Sequence, residues 1–495
     1  MKKLIGLMIT AIALFAVAQP ATASDNMSLK QVIQAVLSNQ PDLAISRIDS
    51  AIAATETQRI EGILDPIVSA SILASEEQTP VSSAFQASET RIGQLTGGIS
   101  KPLSNGGTVS AGFVYNRISQ GFSSPFAAQL ASFNPAFRNQ INVSYRHPLF
   151  KGAGRPDYHH ALTAADAGMQ SSAMQQQVIA RQFTLQAINA YYQLAADEIN
   201  TRIAGQAVKR AKKLLAYQRS REQFGLIEKA DRLQAEALLA ARKTDLQRAV
   251  SRRLTDLNSI NRLMLRSADA PLTLEQPLTD DIPTPSIAEA FAVAESNRPE
   301  LQVLKAQLEA SQAQLAINRD ADDIQLDLVA EAGTRSLDSN AATAAARGFS
   351  PNDHYVSLSV EFSDVLSRNS ARASIRKAEL QYQRILAQRN SAMEQIKTDL
   401  STAITAINGG KPVLAVARKQ AAAEKQKFKA EMKRYRAGRS DTATLVQFEG
   451  ELRNAELNAE LQALTVQLTI RQLAWAQNTL LAELDLSDSK TGEAQ

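Results

Sequence analysis

Apolar and polar residues follow two different periods along this chain. Residues 28–63 carry apolar side chains at helical spacing, which predicts a helix. Residues 65–151 then alternate apolar and polar side chains, most clearly at Ile141, Val143 and Tyr145. Alternation of this kind predicts strands that have one apolar face and one polar face.

The same order of elements recurs along the rest of the chain. It predicts helices over 157–266, a proline-rich connector over 267–285, a helix over 286–320, strands over 323–364 and helices over 370–484. Two uninterrupted helical stretches, 161–224 and 374–437, have about 64 residues each, or roughly 96 Å of helix. A glycine follows each stretch, at Gly225 and Gly438, so we expect the chain to turn back there.

These parallels reflect an internal repeat. Ser38-Asn-Gln-Pro-Asp-Leu43 matches Ser296-Asn-Arg-Pro-Glu-Leu301 at an offset of 258, whereas Gly225 and Gly438 match at an offset of 213. The first copy therefore carries about 45 extra residues between the two landmarks. A repeat of this length means that one structural unit is built twice.

The domain boundaries follow from the repeat. We predict a first repeat over 24–285, a second over 286–484 and a disordered tail over 485–495. The extra residues of the first repeat read as a further strand pair near 91–118, followed by a loop over 121–138. That pair either joins the sheet or projects from it as a separate hairpin.

Two expectations concern the helices. The stretches 229–266 and 286–320 together match the length of a long helix, as do 442–484 and 28–63, so we expect each pair to stack end to end. Pro412, in Asn-Gly-Gly-Lys-Pro, falls inside the second long helix, and we expect it to break or kink that helix.

The N-terminus has the features of an export signal. Lys2 and Lys3 precede an apolar run, and Ala21-Thr22-Ala23 forms a small-x-small cleavage site. We therefore predict a signal peptide over 1–23. An uncleaved anchor is the alternative, although the run is shorter than the ~20 residues of a spanning helix.

Composition narrows the function. The chain has no cysteine and four histidines, and its formal charge of +4 comes from interspersed charges, which gives no support for a nucleic acid partner. The sequence contains no phosphate-binding loop, zinc-protease motif or nucleophile elbow, so we predict no catalytic residue, cofactor or metal. After residue 23 no apolar run reaches about 18 residues, so entry into a membrane would require strands closed into a barrel. A half-buried sheet of a soluble protein is the alternative.

Taken together, these features resemble the TolC-like outer membrane efflux family over essentially the whole mature chain. The similarity rests on the doubled Ser-Asn-x-Pro motif, on His147-Pro-Leu-Phe-Lys-Gly152 before the first long helix, and on the turns Phe224-Gly-Leu226 and Tyr435-Arg-Ala-Gly438. No single motif is specific, but their order and duplication are typical of that family.

The resemblance implies a mostly helical fold with a β-barrel portion. Three subunits would assemble, with long coiled-coil helices forming a periplasmic α-barrel and strands from all three closing one transmembrane β-barrel. The homotrimer would be a passive tunnel in the outer membrane that extends into the periplasm. Its partners would be a periplasmic membrane fusion protein and an inner-membrane transporter of RND, ABC or MFS type.

Two alternatives stay open at this point. The tunnel could serve efflux of small molecules or type I protein secretion, because both use the same kind of conduit. A soluble periplasmic coiled-coil adaptor or scaffold is a hypothesis of another class, and it predicts no detergent-requiring trimer.

The resemblance also implies two groups of site residues at the periplasmic tip. The candidate contacts with the fusion protein are Phe224, Gly225, Leu226, Ala437, Gly438 and Arg439. The candidate gate comprises Asp231, Arg434, Tyr435, Arg439, Asp441, Thr444 and Gln447. Some family members have aspartates where this chain has Thr444 and Gln447, so a cation-binding aspartate ring is not expected. The glycines can also be plain helix C-caps, and Asp231 and Asp441 first-turn acids that favour the helix dipole.

Overall fold

A computed structural model of the protein describes residues 26–275 and 282–486, apart from the side chain of Pro351. The predicted signal peptide over 1–23 lies outside the described residues, as do part of the proline-rich connector and all but the first two positions of the predicted tail. None of the helices in the two described ranges is both long enough and apolar enough to cross a membrane.

Helices dominate both repeats. Those of the first repeat are α1 (Leu29–Asn39), α2 (Pro41–Glu61), α3 (Pro125–Leu130), α4 (Pro156–Gln223) and α5 (Lys229–Leu263). Those of the second are α6 (Ile287–Asn297), α7 (Pro299–Asp320), α8 (Ala341–Arg347), α9 (Asn369–Arg436), α10 (Thr442–Gln477) and α11 (Leu480–Glu483). The two long helices, α4 and α9, have 68 residues each, or roughly 100 Å.

The strands fall into two sheets. They are β1 (Asn26–Met27), β2 (Ile67–Gln78), β3 (Ala87–Pro102), β4 (Thr108–Phe122), β5 (Ala136–Pro148), β6 (Thr273–Leu274), β7 (Gln325–Asp338) and β8 (His354–Ser363). A short parallel pair joins β1 to β6, and β6 lies within the proline-rich connector predicted over 267–285. The other six strands form one antiparallel sheet in the order β2-β3-β4-β5-β7-β8. The extra strands β3 and β4 therefore join the sheet and do not project from it.

The doubled Ser-Asn-x-Pro motif interrupts the helices that contain it. The predicted helix over 28–63 is two helices, because Gln40 is extended and Pro41 begins α2. Arg298 and Pro299 separate α6 from α7 in the same way. A residue before proline avoids the helical conformation, and proline fits the first helical position, so each motif ends one helix and starts another.

The motif of the first repeat also determines which short helices stack. Asn39 Nδ2 donates to the carbonyl oxygen of Met264 at 3.1 Å, and Gln40 Nε2 donates to that of Leu263 at 2.5 Å. The last carbonyl groups of a helix lack intrahelical partners, so these side chains cap the end of α5. The start of α2 is thereby attached to the end of α5.

The second repeat repeats this arrangement. Arg298 Nε, at the start of α7, donates to the carbonyl oxygen of Ala476 at the end of α10, at 2.7 Å. The in-line pairs are thus α5 with α2 and α10 with α7, so the expected pairings of 229–266 with 286–320 and of 442–484 with 28–63 are both wrong. Summed helix lengths are similar for both arrangements, and contacts between distant segments decide between them.

The glycine-proline segment does not break the second long helix. α9 continues through Pro412, so the predicted break is wrong. Ile407 and Leu414 are buried on either side, and their packing offsets the hydrogen bond that proline cannot make. A Cβ atom at Gly410 would lie 2.8 Å from Cγ2 of Val466, so the glycine lets α10 approach closely.

Two short helices lie where strands or a loop are predicted. α3 falls inside 121–138 and starts with a proline at its first helical position. α8 falls inside 323–364, where Asn340 caps the helix by accepting from the backbone N–H groups of Ala342 and Thr343. A proline at the first helical position of α3 and the Asn340 N-cap of α8 thus start helices in the connections between strands, which period-two alternation does not reveal.

Buried apolar side chains form separate clusters along the helices. The largest lies where α1 and α4 meet the ends of α5 and α10, and it includes Val32, Ile33, Ile188, Tyr191, Leu194, Ile260 and Met264. Another lies near the glycine turns and includes Leu214, Leu215, Leu238, Tyr435 and Leu445. This second cluster packs the two helical hairpins, α4–α5 and α9–α10, against each other at their tips.

Candidate functional site: the helix tips and the sheet

The two glycine turns have the same backbone geometry. Gly225 and Gly438 have φ of 69° and 71°, in the left-handed region that favours glycine. The N–H of Leu226 donates to the carbonyl of Arg221, and that of Arg439 to the carbonyl of Arg434, both at 2.9 Å. These are Schellman-type C-caps, so the glycines have a structural role. Their predicted contact with a fusion protein stays a prediction.

The surfaces of the two turns differ in chemistry. Phe224 and Leu226 are 75% and 63% exposed, which is unusual for two apolar side chains on one tight turn. The other turn exposes Ala437 and the cationic Arg439. The candidate contact residues thus form one apolar and one basic projection at the same end of the molecule.

A buried polar cluster joins the two turns. Thr442 Oγ1 donates to Asp231 Oδ1 at 2.8 Å and accepts from Gln218 Nε2 at 2.6 Å. The hydroxyl of Tyr435 is 3.1 Å from the same Thr442 oxygen and also accepts from Gln218. Burial raises the pKa of Tyr435, so the phenol stays a neutral hydrogen-bonding group. These four residues, which we call the tip cluster, link α4 and α5 to α9 and α10.

The structure brings only two of the predicted gate residues, Asp231 and Tyr435, into this cluster. Sequence reasoning missed Gln218 and Thr442. Their side chains carry no charge and no motif marks them, and the relevant signal is that both are buried. A buried amide or hydroxyl needs a partner, so such residues hold specific neighbours in place.

The other gate candidates have local partners. Asp441 is the N-cap of α10 and accepts from the N–H of Thr444 at 2.7 Å, which lowers the pKa of Asp441. Arg434 pairs with Glu431, 3.5 Å away on the same helix. These contacts fit the first-turn interpretation of Asp441. Closing salt bridges by Arg434, Arg439 and Asp441 stay a prediction.

The remaining gate candidate on α10 contacts its own helix. Gln447 Nε2 donates to Glu451 Oε1 at 2.8 Å, and Lys427 of α9 pairs with the same glutamate. Gln447 thus takes part in a contact between the two helices of the second hairpin. Its predicted role in a gate stays a prediction.

A buried ion-pair network lies between the two helical hairpins, farther from the glycine turns than the tip cluster. Glu449 of α10 is 3% exposed and lies 3.1 Å from Arg210 of α4 and 2.9 Å from Arg242 of α5. Asp245 pairs with Arg242 at 3.2 Å and with Arg453 at 2.8 Å. In sequence, Glu449 is only the repeat counterpart of Glu236, so its burial could not be foreseen. The network holds α10 against α4 and α5.

A second buried charge cluster surrounds the single tryptophan. Arg181 lies 4.6 Å and Arg298 5.4 Å from the Trp475 ring, one arginine from each repeat. Trp475 Nε1 donates to the backbone carbonyl of Arg181 at 2.8 Å, and Glu300 accepts from the Arg181 guanidinium at 3.1 Å. Burial lowers the pKa of Arg181 to about 10, still well above neutrality. The cluster packs α4 and the start of α7 against the end of α10.

The six-stranded sheet has one polar and one apolar face. On the polar face Arg146 pairs with Asp327 at 2.8 Å and with Glu361 at 2.7 Å, and each carboxylate comes from a different strand. Gln140 Nε2 donates to the Tyr355 hydroxyl at 3.0 Å on the same face. The apolar face carries Val68, Ile72, Leu95, Ile99, Phe113, Val143, Val356, Leu358, Val360 and Phe362, all of them exposed.

Comparison with known proteins gives the fold. No family model matches the chain, and no curated protein matches it significantly in sequence. Among solved structures, the outer-membrane channel OprN is 17% identical, with a TM-score of 0.65 over 90% of each chain. The CmeC outer membrane channel of Campylobacter jejuni is 14% identical, with a TM-score of 0.63 over 91% of this chain and 86% of that one.

The outer membrane protein VceC of Vibrio cholerae agrees, with 15% identity and a TM-score of 0.62 over 92% of this chain and 95% of that one. This chain has the outer membrane channel fold. That is the fold which the resemblance to the TolC-like family implies, and the predicted fold class is confirmed. Identities this low establish the fold alone.

Within the outer membrane channel fold, the tips and the sheet of this chain lie at opposite ends of the long helices. α4 begins shortly after β5 and α9 shortly after β8, and each ends at a glycine turn. With 68 residues per helix, the two ends are roughly 100 Å apart. The molecule thus combines a two-faced sheet at one end with an exposed pair of turns at the other.

Proposed function

We propose that the protein is one subunit of a passive, trimeric outer membrane channel that extends into the periplasm. The observation that carries this proposal is the six-stranded sheet, whose apolar face is exposed and whose two edges are unpaired within the part of the chain that the structure describes. The resemblance to the TolC-like family supports three copies.

The exposed face has the chemistry of a lipid-contacting surface. Ile72, Val356 and Leu358 are 84%, 77% and 71% exposed, although burying a side chain of this kind stabilises by about 1.5–3 kcal/mol. Exposed apolar patches of this extent mark an interaction surface. A bilayer would cover this face, while the polar face with Arg146, Asp327 and Glu361 would line a water-filled lumen.

The unpaired edges favour closure with further copies of the chain. β2 and β8 are the outermost strands of the sheet. Unsatisfied backbone groups cost several kcal/mol each in hydrocarbon, so a sheet in a membrane must close. Pairing β8 of one copy with β2 of the next satisfies both edges.

An apolar stripe on α2 supports the same assembly. Ile45, Ile48 and Ile52 recur at helical spacing and are 54%, 60% and 61% exposed. α2 lies at the same end of the molecule as β2, because only a short turn separates them. The helices of neighbouring copies would meet along this stripe and continue the ring below the sheet.

The tips would receive the partner proteins. Phe224 and Leu226 present apolar surface, and Arg439 presents charge, to a periplasmic membrane fusion protein, which in turn would recruit an inner-membrane transporter. The channel itself would have no catalytic residue, and its partner would supply the energy. Small-molecule efflux is the proposed cargo class, and genomic neighbours would distinguish it from type I protein secretion.

Fractionation and conductance test this proposal together. We expect the mature protein in the outer membrane fraction, as a detergent-requiring trimer that dissociates on heating and conducts ions in a planar bilayer. Replacing Leu358 on the apolar face by Asp should prevent assembly, whereas Ser357→Asp on the polar face should be tolerated. Recovery of the wild-type chain as a soluble periplasmic monomer would refute the channel and favour the adaptor hypothesis.

A further inference from the structure

The two repeats contribute unequally to the sheet. The first supplies four strands, β2 to β5, and the second supplies only β7 and β8. We infer that three copies close a barrel of 18 strands, with the extra hairpin β3–β4 built into its wall. This inference rests on the trimeric channel proposed above and concerns the number of strands, and hence the width, of its membrane end.

The hairpin is an integral part of the sheet. β3 pairs with β2 from Ile67 opposite Ser100 to Gln78 opposite Glu89, and β4 pairs with β5 over eleven positions. A hairpin projecting beyond the sheet would leave β2 directly beside β5. Here β3 and β4 separate them completely.

Both faces of the sheet also continue through the hairpin. Ile72 lies opposite Leu95, and Phe113 lies opposite Ile141, all on the apolar face. On the other face the hydroxyls of Ser71 and Thr96 are 2.5 Å apart, and Ser110 donates to Ser100 at 3.1 Å. A hairpin surrounded by water needs no apolar face in register with its neighbours. This pattern fits a wall between lipid and water.

The register gives the tilt of the strands. Ile67 is the first residue of β2, and stepping from each residue to its partner on the next strand leads from Ile67 to Ser357 of β8. The end of β8, Ser363, lies six residues beyond Ser357, so the two ends of the sheet are offset by six residues along the strands. Six residues at ~3.3 Å make a stagger of roughly 20 Å across five strand spacings, which total roughly 24 Å. The resulting tilt of about 40° lies within the range of about 35–45° found in membrane barrels.

Strand number then determines the width. At this tilt and a spacing of ~4.8 Å, 18 strands give a backbone radius of roughly 18 Å. If both repeats supplied only two strands, twelve strands would give roughly 12 Å. Barrels of about 16–18 strands enclose an aqueous channel, so the membrane end would not be the narrowest part of the tunnel. Selection by size would fall to the helix tips.

Closure also predicts specific neighbours. The apolar faces of β8 and β2 must coincide, because a slip of one residue would turn every side chain to the other side. Leu358 lies five residues from the end of β8 and Ile72 five residues from the start of β2, so strand ends at one level place Leu358 opposite Ile72 of the next copy or its same-face neighbour Ala74. The chain has no native cysteine, and β2 and β8 of one copy are five strands apart. A disulfide between them must therefore join two copies.

Cysteine pairs test the closure. Oxidation of membranes containing L358C/I72C or L358C/A74C should give covalent trimers for at least one pair. The control L358C/L73C, whose second cysteine lies on the other face, should give none. Absence of cross-linked trimers from both test pairs would overturn the inference together with the proposed channel.

Thiol labelling then separates the strand number from the channel itself. In cross-linked, reconstituted trimers, a membrane-impermeant maleimide should label T96C, which faces the lumen, and should fail to label L95C, which faces lipid. T96C and L95C are each added to the variant whose L358C pair, with I72C or A74C, gives the covalent trimer. If L95C is labelled as fully as T96C, β3 lies outside the wall, the 18-strand barrel is wrong, and the channel stands.

Discussion

The buried Glu449 provides the sharpest test of how the two hairpins are held together. Its carboxylate lies between Arg210 and Arg242, and only 3% of the residue is exposed. Removing one member of a buried ion pair costs about 3–5 kcal/mol, because the remaining charge loses its partner. Arg210 keeps Glu456, and Arg242 keeps Asp245. We therefore expect Glu449→Ala to cost about 3 kcal/mol, the lower end of that range.

Hydrogen exchange measures this cost locally. Exchange of the α10 amides near Glu449 requires this part of α10 to lose its contacts with α4 and α5 and to unwind, so the exchange rate reports the free energy of that local opening. About 3 kcal/mol corresponds to exchange roughly 100-fold faster. Amides in α1, which lies far from the network, should be unaffected and serve as the internal reference.

The repeat offers a matched control. Glu236 occupies the equivalent position in the first hairpin and also contacts two arginines, Arg219 and Arg232. The Glu236 side chain is 32% exposed, against 4% for that of Glu449, so solvent screens its ion pairs. Glu236→Ala should therefore change exchange far less than Glu449→Ala. Equal effects of the two substitutions would refute the argument that burial, not pairing alone, makes the network strong.

Three further predictions follow from other sites. Asp231→Ala removes an acceptor from the tip cluster and should raise single-channel conductance by loosening the tips; unchanged conductance would refute its role in closure. Burial and a hydrogen bond with Asp256 raise the pKa of Asp197 to about 6. Above that pH the charged carboxylate destabilises the α4–α5 hairpin, and this loss of stability disappears as the carboxylate is protonated between about pH 6 and pH 4. Asp197→Asn should therefore raise thermal stability at pH 7.5 and have little effect at pH 4.5; the same gain at both would contradict the assignment. Gly410→Ala should lower the melting temperature by forcing α10 away, whereas Gly409→Ala, with open space around its Cβ, should raise it slightly; a gain at both positions would show that the close approach is not needed.

Elements with strong local signals were predictable from the sequence. The two long helices and the glycine turns follow from hydrophobic spacing and from the need for a left-handed residue where the chain reverses. Alternation also predicted the strands, including the extra pair. These features depend on residues within one or two turns of each other, so a single sequence contains the information.

The errors concern how the elements associate. Helix lengths matched equally well for the wrong stacking order, and hydrogen bonds from Asn39 and Gln40 to the end of α5 decide the right one. Pro412 satisfied every local criterion for a break, yet α9 continues because its neighbours are packed against it. In both cases contacts between distant segments outweigh the local preference.

The candidate site divides in the same way. The sequence by itself determined the doubled unit, its turns and its two-faced strands, since each is a pattern of neighbouring residues. Only the tertiary structure decided that six strands form one sheet, that Gln218 and Thr442 join Asp231, and that Glu449 is buried while Glu236 is not. The physical reason is that strand order and burial depend on which distant segments meet, and residue spacing carries no record of that.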